Sequence, residues 1–168
     1  MEAYTSSAQA EWAEAEGEAL HARLLARGDT VAAAESLTVG RVQAQLGRRS
    51  GASGYFAGGV TCYATAAKVR LLGVDAAHAA EVNAVSERVA REMAAGAARM
   101  FGACIGVATT GYAEPDSARG VATPFAWVAA ARGDDVRARR VDGAALGREA
   151  MQARAAAEAL RLLAELVG

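Results

Sequence analysis

The chain is poor in the residues that usually announce a function: among its 168 residues are two cysteines, two histidines and two prolines, and aromatics make up only 5%. Cys62 and Cys104 lie far apart, and His21 and His78 belong to no ligand-spaced cluster, so a zinc-type site finds no support and no metal is expected. The plain reading of the thiols is reduced and half-buried. No stretch approaches the ~20 uninterrupted apolar residues that span a bilayer. The opening MEAYTSSAQAEWAEAEGE is acidic and lacks the basic-then-apolar order of a signal peptide, which makes the cytoplasm the expected compartment. Nor is there an excess of either charge: 18 basic and 19 acidic side chains leave a net −1. That balance argues against nucleic acid and anionic membrane as main partners, and any anionic ligand must be recognised locally.

What is abundant is alanine. The apolar fraction is 53%, but alanine supplies much of it, so the core must be filled by leucine, valine and isoleucine while alanine marks close helix packing. The length suits one domain able to bury a continuous core without staples.

Along the chain, Trp12, Ala15, Leu20, Leu24 and Leu25 recur at helical spacing over residues 8–27, and Gly28 with Asp29 supplies a stop. A short apolar run over 30–34 predicts a strand closing on Glu35 and Ser36, followed by a helix carrying Val42 and Leu46. The Gly/Ser-rich segment 48–59 reads as a loop, 60–63 as a strand and 64–72 as a helix. Asp75 can cap a short helix, and Ser86 a longer one ending near Phe101. A buried strand is expected over 104–109, then a loop from Thr110 onward. A hairpin turns at Gly133 and Asp134, and a final helix runs from about 145 to 166. Alternating strands and helices with a late hairpin predict an α/β fold: a single-domain three-layer α/β/α sandwich whose sheet of about five strands is mixed but mostly parallel. Residues 8–168 form the expected domain, and residues 1–7 are expected to be disordered.

Ser36 sits at a strand-to-helix junction, where on the local sequence alone a helix cap is the commoner role. A serine where a strand ends and a helix begins displays its hydroxyl beside unpaired amides, which suits either a helix cap or a nucleophile. In AAAESLTVGR and SGASGYFAGGVTCYATAAK one reads Glu35, Ser36, Thr38 and Gly40, then Gly51, Ser53, Phe56, Gly59, Tyr63 and Lys68. These residues, in this order and spacing, resemble the CinA C-terminal domain and its stand-alone nicotinamide-nucleotide amidohydrolases. LLGV at 71–74, AVSE at 84–87, EMA at 92–94, the Thr110-Gly111 pair and Arg148-Glu149-Ala150 extend the resemblance over nearly the whole chain.

The resemblance implies hydrolysis of the carboxamide of nicotinamide mononucleotide to nicotinate mononucleotide and ammonia, with no metal or organic cofactor. It implies a small-molecule nucleotide as partner and a homo-oligomeric assembly. It assigns Ser36 as nucleophile, Lys68 as its base, and Tyr63 as a group that orients the lysine or relays a proton to the leaving nitrogen. Such a base must lose its proton near neutrality; bringing a lysine from ~10.4 to ~7–8 corresponds to roughly 4 kcal/mol, which burial can supply. Amides following Ser36, with Thr38, Gly40, Thr110 and Gly111, are the expected substrate or oxyanion contacts, and Arg148 the expected phosphate clamp.

The chain departs from the family pattern at Leu37, Val39, Glu114, Ala126 and Gln152. Val39 and Ala126 stand where glycines are usual, and Gln152 where a second arginine is usual. Glu114 places a carboxylate near the expected phosphate, so the substrate preference is expected to be weakened or shifted toward a less anionic amide. The competing reading is a non-catalytic module of the same family, serving protein interaction or nucleotide sensing. Neither GxGxxG nor GxxxxGK[ST] occurs, so a dinucleotide- or ATP-binding role is unsupported.

Overall fold

The structure, a computed structural model, describes residues 12–168. The predicted disordered residues 1–7, and the first turns of the helix predicted from residue 8, lie outside the described residues. Within them the order is α1 (Glu14–Arg27), β1 (Val31–Glu35), α2 (Arg41–Gly47), β2 (Phe56–Thr61), α3 (Thr65–Leu72), α4 (Ala76–Glu81), α5 (Glu87–Phe101), β3 (Ile105–Tyr112), β4 (Phe125–Arg132), β5 (Asp135–Asp142) and α6 (Arg148–Val167).

The five strands form one sheet in the order β2-β1-β3-β4-β5. β1 pairs parallel with both β2 and β3, while β4 runs antiparallel to β3 and to β5. The sheet is thus mixed, parallel at its centre, with β4 the strand that reverses. β1 is buried along its whole length, as a central strand covered on both faces must be.

Two apolar clusters, one on each face, complete the three layers. On one face Leu20, Leu24, Val42, Leu46 and the stripe of α6 from Met151 to Val167 pack on Val31, Ile105, Val107, Val128 and Val141. On the other, Leu72, Val89, Met93 and Ala97 meet Ala32, Ala34, Ala108, Ala129 and Ala131. The alanine content therefore has a place: the fully buried strand residues of this second cluster are all alanine, with Val60, Trp127 and Val136 only partly buried, which lets α5 lie close. Gly106 carries this furthest, since a Cβ there would run into the backbone of Ala94 and Ala98.

Four elements differ from the sequence expectation by more than a residue; of these, α1 begins only at Glu14, after the extended Ala13, so that Trp12 precedes it, and β3 runs on through Thr110 to Tyr112 where a loop was expected. β2 begins at Phe56, inside the segment read as a loop, and ends at Thr61 rather than 63. Its glycines are there because neighbours press on it: a Cβ on Gly58 would meet the Phe101 ring at 2.7 Å, and one on Gly59 the Gln43 side chain at 2.5 Å. The last helix starts at Arg148 rather than 145, because Ala145 takes a left-handed φ of 63° that no helix accommodates.

Candidate active site

Ser36 follows β1 directly, at the carboxyl end of the parallel strands where open α/β sheets place their ligand crevices. Its amide donates to the Thr109 carbonyl at 3.1 Å, which extends the β1–β3 ladder one residue past the strand. The turn beyond it is organised by Glu35, which is fully buried. One carboxylate oxygen accepts from Thr38 Oγ1 at 2.5 Å and from the amides of Gly40 and Val42 at 3.0 and 3.1 Å; the other accepts from the amide of Gln43 at 2.8 Å. The negative charge thus sits on the positive end of α2 and satisfies its first donors. The Thr38 hydroxyl, which donates to Glu35, accepts a hydrogen bond from Thr109 Oγ1 at 2.8 Å. Val39 and Gly40 complete the turn at φ 43° and 95°; Val39 is half exposed, away from the cavity.

Lys68 arrives from α3 and is only 3% exposed. Its Nζ donates to Thr110 Oγ1 at 3.3 Å, and that hydroxyl donates in turn to the Ala84 carbonyl at 2.7 Å. The acceptor is a neutral hydroxyl, so burial dominates and lowers the Lys68 pKa to about 8, with the neighbouring Cys62 opposing it to a smaller extent. The same burial raises the Cys62 thiol. Asn83 and Ala84, which bring the carbonyl to Thr110, are consecutive left-handed residues at φ 51° and 54°. Such backbone persists only where surrounding contacts impose it.

Ser36 and Lys68 line one cavity of about 500 Å³, together with Tyr63, Gly111, Glu114 and Arg148. The amine is turned to Thr110 rather than to Ser36; acid–base pairs of this kind commonly tighten only in the substrate complex. Tyr63 stands at the rim, 58% exposed, and its hydroxyl accepts from Arg148 Nη2 at 3.0 Å instead of meeting the lysine. Arg148 Nη1 donates to Glu114 Oε1 at 2.7 Å.

The other expected contacts divide by what already engages them. Gly111 faces the cavity, and a Cβ there would strike the backbone of Phe125 and Ala126 on the adjoining strand. Thr38, Gly40 and Thr110 do not line it: the first two are bound to Glu35, and the third holds Lys68. The amides of Gly40, Val42 and Gln43 are likewise taken by Glu35, and those of Val39 and Arg41 close the turn on Ser36 and Thr38. Leu37 and Thr38 carry the remaining candidate amides after the nucleophile. Gln152 is buried in α6 away from the cavity, and Ala126 lies in β4 opposite Gly111. Among the described residues, no group of three or more His, Cys, Asp or Glu side chains is arranged to hold a metal ion, and no helix is long and apolar enough to cross a membrane.

A family model described as the CinA C-terminal domain matches residues 13–167. The chain belongs to that family. A CinA-like protein of Anaeromyxobacter dehalogenans (strain 2CP-C) is 45% identical over 145 residues, covering 84% of this chain and 35% of the relative. One from Mycobacterium sp. (strain JLS) is 56% identical over 94 residues, covering 56% of this chain and 22% of the relative. The chain therefore spans roughly a fifth to a third of the length of these CinA-like relatives. Among solved structures, a competence-damaged protein (CinA) superfamily protein from Klebsiella pneumoniae superposes with a TM-score of 0.85 at 29% identity, over 91% of this chain and 96% of that one. The α/β sandwich is thus that of the CinA superfamily.

Proposed function

We propose that the chain is a Ser-Lys amidohydrolase acting on the carboxamide of nicotinamide mononucleotide or a close pyridine-carboxamide relative. The observation that carries this reading is a buried lysine, with its pKa lowered to about 8, opening onto the same cavity as a serine displayed at a strand-to-helix turn. Neutral Lys68 takes the Ser36 proton as Oγ attacks the carboxamide carbon. The oxyanion of the tetrahedral intermediate is held by amides following Ser36. Collapse breaks the C–N bond, and the Lys68 ammonium returns its proton to the departing nitrogen, releasing ammonia. A water then repeats the attack on the acyl-serine with Lys68 again as base, freeing the carboxylate product and regenerating Ser36. The reading carries with it a small-molecule nucleotide substrate, a homo-oligomeric assembly and a cytoplasmic setting.

Ammonia release from nicotinamide mononucleotide tests it directly. The unmodified chain is expected to release ammonia, with Ser36→Ala and Lys68→Met each reducing kcat by at least about a thousandfold. Release that persists in either variant refutes the assigned roles. Binding of the mononucleotide without turnover by the unmodified chain favours the sensing module instead.

A further inference from the structure

The charged side chains that line the cavity are Lys68, Arg119, Arg148, Glu114 and Asp116. Both arginines are already engaged: Arg119 pairs with Asp116 at 2.8 Å, and Arg148 with Glu114 at 2.7 Å. Once Lys68 is neutral the remaining four charges cancel. Arg148 is held on both sides of its guanidinium, by the Glu114 carboxylate and by the Tyr63 hydroxyl at 3.0 Å, from positions 34 and 85 residues away in sequence. The same two nitrogens that offer a fork to an incoming anion are thus occupied from within the chain.

We propose that Glu114 is a specificity-determining residue that fills the anion subsite at Arg148, so that the site takes a pyridine-carboxamide nucleoside in preference to its 5′-monophosphate. The identity of the ligand rests on the amidohydrolase reading above. A phosphate reaching Arg148 must displace the carboxylate and then share the rim with it. The pair is exposed, 45% on the arginine and 61% on the glutamate, so water screens both effects. Each is worth a factor of a few, and together they weaken phosphate binding about tenfold. A nucleoside ends in an uncharged hydroxymethyl group and encounters neither penalty. Its pyridinium ring, carrying one positive charge, enters a cavity whose own charges balance once Lys68 has given up its proton.

The test separates this proposal from the reaction itself. In a Ser36→Ala background, which keeps ligands unconverted, calorimetry measures Kd for nicotinamide riboside and for nicotinamide mononucleotide, with Glu114 present and with Glu114→Gln. The riboside is expected to bind more tightly than the mononucleotide when Glu114 is present. Glu114→Gln should tighten the mononucleotide about tenfold and leave the riboside within about twofold. The proposal is overturned by a mononucleotide Kd that does not move, by an equal gain for both ligands, or by failure of either ligand to bind in both forms. Ammonia release by the chain with Ser36 intact is measured alongside. A Kd shift as expected, without turnover of either compound, sinks the hydrolase reading and leaves the Glu114 assignment standing.

Discussion

Lys68→Met should make the protein more stable while removing its base. The lysine is 3% exposed and its hydrogen-bond acceptor is a neutral threonine hydroxyl. Its pKa falls from 10.5 to about 8 because burial disfavours the ammonium. At ~1.36 kcal/mol per pH unit, that difference corresponds to about 3 kcal/mol of folding free energy. Below pH 8 both the folded and the unfolded chain hold the proton, and the folded chain bears the full penalty. Between about 8 and 10.5 the unfolded chain holds a proton that the folded chain has released, so stability rises with pH; above 10.5 the penalty is gone. Methionine matches the length of the apolar stem and brings no charge. The variant should therefore gain about 2–3 kcal/mol at pH 7 and under about 1 kcal/mol at pH 10. With Tm moving by about 2–4 °C per kcal/mol in a domain of this size, melting at pH 7 should rise by roughly 5–10 °C. Urea unfolding of both proteins at the two pH values, with m compared, reads the difference directly. A variant no more stable than its parent at pH 7, or a gap of equal size at both pH values, would refute the account of Lys68 as an uncompensated buried cation.

Three further outcomes follow from the same geometry. In the ammonia assay, kcat/KM should climb with pH and level off above about 8 as Lys68 loses its proton; a profile flat from pH 6 to 9 contradicts a lysine base. Glu35→Gln replaces a carboxylate that accepts from three amides and a hydroxyl, and should lower stability by about 1.5–3 kcal/mol in urea unfolding; an unchanged midpoint would mean that the turn holds without it. Val39→Gly relieves a branched residue at φ 43°, worth about 1–3 kcal/mol, against about 0.4–1 kcal/mol of added freedom in the unfolded chain. The net should be a Tm rise of a few degrees, and a fall would show that Val39 makes contacts that matter more than its backbone.

The parts of the fold readable from sequence were those with local causes. The strand-to-helix turn at Ser36, the caps at Asp75 and Ser86, and the hairpin at Gly133 each depend on residues within a few positions. β2 was hidden because its glycines signal loop by composition, whereas their cause is the Phe101 ring and the Gln43 side chain, distant in sequence. Glu35 was legible as a motif letter but not as the anchor of α2. Capping rules look one residue before a helix, and Glu35 stands six before Arg41, brought there by the left-handed turn at Val39 and Gly40. The Thr110 contact to Lys68 and the Glu114 pair with Arg148 span 42 and 34 residues, and no periodicity reports such meetings. Glu114 had stood out as a departure from pattern; its effect changes once the carboxylate is seen to bind the arginine rather than merely face the same ligand.

Where α5 crosses α3, Gly96 leaves no room between the two, for a methyl group there would press into the backbone of Leu72, at the end of the helix that carries Lys68. On its other flank α5 rests on the alanines of the sheet. Bulk added anywhere along this chain of contacts has one way to go, outward through α5 into α3, and would lift the amine away from the serine. The tolerances of the reacting pair are therefore set outside the cavity, by side chains too small to look important. Variation along that seam should run toward equal or lesser volume, even in relatives whose cavity rims have diverged.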